Sequence, residues 1–153
     1  MTTRRKNDII KRVLRERDKV FEIVGYLEEL AREKVDPPAK VAWVRRLAEH
    51  LASLERHLKA HFKFEETGGF MEEVLSMIPN ADLRVERLKS DHGALLATTA
   101  NLLKGANNPA HENADSGSLC QELSQFLSRL RHHEHEEIDL VQQAFLDDVG
   151  SLD

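Results

Sequence analysis

The stretch HLKAHFKFEE, residues 57–66, decides the fold. His57, His61 and Glu65 stand four residues apart, so on a helix they share one face. Val44, Leu47, Leu51 and Leu54 lie on that same face, one to several turns earlier. A core-facing stripe that ends in two imidazoles and a carboxylate needs a cause. Burying such groups without partners costs on the order of a few kcal/mol each.

The same helical period extends outward through nearly the whole chain. A first helix over about 7–34 carries Ile10, Val13, Val20, Val24, Leu27 and Ala31 at spacings of three and four. VDPPAK stops it. Asp36 is placed to cap the second helix and proline is tolerated in its first turn. That helix runs to Thr67, where the glycine pair 68–69 ends it. FMEEVLSMI supplies one or two further turns. Pro79-Asn80 opens a third long helix with Val85, Leu88, Leu95, Thr99 and Leu102 on its stripe, and Gly105 closes it. After the polar loop GANNPAHENADSG, Ser118 and Gln121 form a capping box for a fourth. Its stripe is Leu119, Leu123, Phe126, Leu130, Leu140 and Ala144, and Gly150 ends it. Four long helices with short connections predict a single all-α domain over residues 1–153, an antiparallel up-down-up-down four-helix bundle.

Composition agrees. The 153 residues are long enough for one domain with a core. Hydrophobic residues make up 41% and charged residues 32%, which suits amphipathic helices. A net charge of −5 argues against a nucleic-acid partner. No apolar run spans a membrane and no signal-peptide core is visible. Cys120 is the only cysteine, so no intrachain disulfide forms; a cytoplasmic protein is the expectation.

Each stripe has a polar interruption. Arg17 stands between Val13 and Val20, and His61 with Glu65 ends the second stripe. His92 lies between Leu88 and Leu95, and His133 with Glu137 between Leu130 and Leu140. At about 1.5 Å of rise per residue, all of these fall within a turn or two of one level in an antiparallel bundle. Three imidazoles and two carboxylates converging in one layer are what a transition-metal site requires. Mixed nitrogen and oxygen ligands suit iron, manganese or zinc, and a carboxylate four residues from a histidine can bridge two metals. In RHHEHEE, 131–137, the remaining residues His132, Glu134, His135 and Glu136 read as a solvated charge run. His57 is one turn off the layer and a weaker ligand candidate; His50 and His111 read as surface residues.

With these residues in place, the chain resembles the hemerythrin-like, or HHE cation-binding, family. Members pair a His-x-x-x-Glu on helix 2 with another on helix 4 and place single histidines on helices 1 and 3. HFKFEE supplies His61 and Glu65, SDHGALL supplies His92, and RHHEHEE supplies His133 and Glu137. The resemblance covers about residues 7–148. It implies a non-haem centre of one or two iron ions that binds or senses a small ligand such as O₂, NO or peroxide, or iron itself. Two departures stand out. Arg17 occupies the place of the helix-1 histidine, and a guanidinium has no lone pair for a metal. Leu88 stands where oxygen-carrying members have a second helix-3 histidine. Two outcomes follow. Metal is held by the remaining ligands, or the site is metal-free, with Arg17 neutralising Glu65 and Glu137 in a bundle that serves as a regulatory or interaction module. A histidine-phosphotransfer bundle needs an exposed histidine, which the stripe denies to His92. No catalytic triad, phosphate loop or cofactor fingerprint is present.

Overall fold

The computed structural model describes residues 3–108 and 116–146. Five α-helices account for nearly all of them: α1 (Thr3–Arg32), α2 (Lys40–Thr67), α3 (Phe70–Met77), α4 (Asp82–Ala106) and α5 (Ser116–Val141). A π-helical turn, Gln142–Leu146, continues α5. There is no strand among the described residues, and no helix among them is long and apolar enough to cross a membrane.

The four long helices close a ring in chain order. α1 packs on α2, α2 on α4, α4 on α5, and α5 back on α1. α3 packs against α2, α1 and α4. Trp43 fixes the join between α1 and α2: its buried indole N–H donates to the Leu30 carbonyl at 3.0 Å. Arg131 of α5 clasps Glu28 of α1 through two bonds of 2.6 Å.

Several punctuation marks act one step away from their expected places. Asp36 precedes a 3₁₀ turn, Pro37–Ala39, rather than α2 itself, and makes no side-chain cap bond. Asn80 turns the chain with φ 61, and α4 begins two residues later. Gly105 lies inside α4, which runs one residue further. Ser118 is within α5 rather than at its cap. Gly150 and His111 lie outside the described residues. Between α2 and α3 the chain needs a glycine: Gly69 has φ +101, a region that side chains rarely adopt.

The core is split in two. One apolar cluster includes Val20, Val24, Leu54, Leu58, Phe62, Leu95, Leu127 and Leu130. The other includes Ile10, Val13, Phe70, Val85, Leu88, Leu140 and Val141. On α1 the two meet across Arg17, on α4 across His92, and on α5 across residues 131–139. A polar layer therefore separates two apolar cores that would otherwise be continuous.

Candidate metal centre

That layer contains His61, Glu65, His92, His133, Glu134 and Glu137, all buried. α2 places His61 and Glu65 one turn apart, α4 places His92, and α5 places the other three. Five of the six are those that the stripes single out. The sixth, Glu134, lies in the stretch whose charge density predicts a solvated run, yet it is 0% exposed. The signal for it is in the sequence. Leu123, Leu127, Leu130, Glu134, Glu137 and Val141 recur at spacings of four and three, so Glu134 is in phase with buried leucines. His132 and His135 are exposed as expected.

Glu137 lies at the centre. Its Oε1 is 2.6 Å from His133 Nε2 and 3.3 Å from His92 Nε2, while its Oε2 is 3.5 Å from His61 Nε2. One carboxylate thus faces two groups of donors with different oxygens. Glu65 Oε1 also lies between groups, 3.4 Å from His61 Nε2 and 3.6 Å from His92 Nε2. Glu134 Oε1 is 3.7 Å from His61 Nε2. Two triads result, His92–His133–Glu137 and His61–Glu134–Glu137, each with its donor atoms within 4.8 Å of one another. Ligands about 2.1 Å from a tetrahedrally held ion stand about 3.4 Å from one another, so the approaches of 3.3, 3.5 and 3.7 Å already suit a cation, and the 2.6 Å His133–Glu137 pair opens to admit one.

The outer ring nitrogens are held from behind. His133 Nδ1 meets Asp91 Oδ2 at 3.4 Å, and His92 Nδ1 meets Glu66 Oε2 at 3.1 Å. A carboxylate behind an imidazole fixes its tautomer and turns the lone pair of the inner nitrogen into the site. Phe62 stacks on His92 with centroids 3.9 Å apart and 6° between planes, and meets His133 edge-on. His61 differs: neither of its nitrogens has a hydrogen-bond partner. A cleft of about 500 Å³ reaches the layer from outside and is lined by Asp91, Ala94, Leu95, Ser128, Arg129, His132 and His133.

Apart from the His92 Nε2–Glu137 Oε1 hydrogen bond at 3.3 Å, close approach within the layer is not hydrogen bonding. Both oxygens of Glu65 and of Glu134, Glu137 Oε2, His133 Nε2 and both His61 nitrogens are buried without a directed partner. Buried polar groups are nearly always paired, and this concentration of inward-facing lone pairs is what a cation satisfies. The donor set fits a transition metal. Without one, protons must compensate. Burial opposes charge on His61, but the nearby Glu134 and Glu137 carboxylates prevail and push its pKa up to about 10. Burial likewise opposes charge on His133, and Glu137, Glu134 and Asp91 raise it. Burial and the charge of Glu137 hold Glu65 well above the usual carboxylate range. Burial, then Glu137, raises Glu134. Burial also acts on Glu137, yet His133, His61 and His92 together hold it well below that range.

Arg17 does not neutralise this layer. Its guanidinium pairs with Asp18 Oδ1 at 3.1 Å, while its Nε is buried without a partner. The reason is length. The stripe fixes where the Arg17 stem starts, and the side chain then snorkels to the surface across the Phe21 ring. His57 is half-buried and belongs to neither triad. His50 is half-buried against Tyr26 rather than free at the surface.

A helical ring around buried, inward-facing histidines and carboxylates is the architecture of a cation-binding bundle. The chain belongs to the hemerythrin HHE cation-binding domain family, whose model matches residues 8–145. No curated protein and no solved structure matches it.

Proposed function

We propose that this protein is a non-haem iron protein in which His61, Glu65, His92, His133 and Glu137 hold one or two iron ions, with manganese or zinc as chemically acceptable occupants. The observation that carries this reading is the His92–His133 pair. Each imidazole has its outer nitrogen backed by a carboxylate and its inner nitrogen aimed at Glu137. Iron held there would supply redox-active coordination chemistry for O₂, NO or peroxide, or would itself be the species sensed. This chain's residues exclude bulk water, set the imidazole tautomers and leave a cleft to Asp91 and His133 wide enough for a small molecule. The bundle is read as one domain, up-down-up-down and antiparallel, because the ring follows chain order. With a single cysteine, Cys120, a reducing cytoplasmic setting suits it.

The metal-free alternative, a regulatory or interaction module, drew its main support from Arg17 as a counter-charge for Glu65 and Glu137; the pairing of Arg17 with Asp18 favours the metal reading over it. Elemental analysis and the optical spectrum of protein purified anaerobically without chelator test the proposal. Iron retained by wild type and lost on His133→Ala supports it. A wild type without bound metal, even after incubation with ferrous iron, overturns it.

A further inference from the structure

We infer that Glu134 is the metal ligand that replaces the absent α1 histidine, and that the centre has two unequal halves. The His92–His133 half fills first, and Glu134 with His61 then holds a second divalent transition-metal ion. This rests on the metal-binding reading above and goes beyond it, because the family pattern places no ligand at residue 134.

Three observations carry the inference. Glu134 is completely buried, and neither of its oxygens has a hydrogen-bond partner. A leucine at residue 134 would continue the α5 stripe without desolvating a charge, so a carboxylate there is unexplained by packing. Glu134 also stands on the side of the layer that needs a donor. Its oxygen approaches His61 and groups with His61 and Glu137. At the same level α1 offers only Arg17, whose guanidinium leaves for Asp18.

The inequality follows from what stands behind the ligands. His92 and His133 are oriented by Glu66 and Asp91, so two nitrogen donors and one oxygen are set before metal arrives. His61 Nδ1 has no such support, and its triad offers one nitrogen and two oxygens. First-row divalent metals bind imidazole-rich, pre-oriented sites more tightly. Glu137, with one oxygen on each half, and Glu65 between His61 and His92 link the two.

The test is an anaerobic titration of chelator-stripped full-length protein with ferrous iron. It is followed by calorimetry and by metal analysis after gel filtration. Wild type should take two ions in two separated steps. Glu134→Gln, which keeps shape but removes the charge, should keep the first step and weaken the second by about 100-fold or more, beyond the usual loss from a supporting group. Circular dichroism checks its fold, and Glu134→Ala is read if the glutamine variant is not helical. Two unchanged steps in Glu134→Gln overturn the assignment of Glu134. Loss of both steps overturns the inequality. A wild type that binds a single ion overturns the second half while leaving the metal-binding reading intact. A wild type that binds none overturns that reading itself.

Discussion

His133 Nε2 and Glu137 Oε1 stand 2.6 Å apart, one turn from each other on α5. The spacing comes from the helix itself, because residues four apart face the same way. Its meaning comes from the other side of the imidazole, where Asp91 holds Nδ1. The inner nitrogen is thereby presented as an acceptor beside a second acceptor, an arrangement that a cation relieves.

Asp91 should therefore matter although it is not itself a ligand: it acts only through His133 Nδ1. Asp91→Ala is expected to leave the helical fold intact and to lower metal affinity by about 10–100-fold, the usual loss for a carboxylate behind a ligating histidine. Competition with a chromophoric chelator measures it. Unchanged affinity would mean that the His133 tautomer is set by something else.

Metal-free protein should lose stability as pH rises. His61 has a folded pKa of about 10 against an unfolded value of about 6.5. Its contribution is full below the unfolded value and disappears as pH climbs through the folded one. His133, Glu65 and Glu134 are also raised and act with the same sign. Glu137 is depressed, so its contribution is present above the unfolded carboxylate value and is lost in acid. Urea midpoints in chelator should peak in mild acid and decline from about pH 6.5 to about pH 10. Metal affinity should move the other way, since ligands must give up protons to bind. A midpoint that rises over that range would contradict the protonated layer.

Phe62 links the layer to the larger apolar core. It is buried and stacked on His92. Phe62→Ala should cost about 3–5 kcal/mol of stability, as expected for truncating a buried aromatic ring, and should also loosen metal binding. Denaturant unfolding of metal-free and loaded protein gives both values. A loss under about 1 kcal/mol would show that the site collapses around the gap.

Arg17→His is expected to restore a nitrogen donor on α1. The variant should bind the second iron more tightly and strengthen near-ultraviolet absorption once the irons are oxidised. In combination with Glu134→Gln it should recover the second ion. Identical stoichiometry and spectrum in a folded double variant would mean that the Arg17 position does not open onto the centre.

The stripes made the helices and most of the layer legible, because a helix's phase fixes which Cβ atoms point inward. Two errors mark the limit of that reasoning. Glu134 was hidden by composition: in HHEHEE the charge density suggested solvent, while the phase inherited from Leu127 and Leu130 put it inside. Arg17 shows the reverse. Its phase was inward, but phase says nothing about where a long side chain ends, and Asp18 at the surface drew the guanidinium out. Caps were least legible. Asp36 and Ser118 are good capping residues by type, yet a 3₁₀ turn and an earlier helix start displaced them.

The most direct measurement is the metal content of the chain purified anaerobically without chelator, beside His92→Ala and His133→Ala prepared identically. Wild type is expected to retain iron or another first-row metal, and each variant to lose most of it while remaining helical. Equal metal content in all three, or none in wild type after incubation with ferrous iron, would contradict a metal centre in this layer.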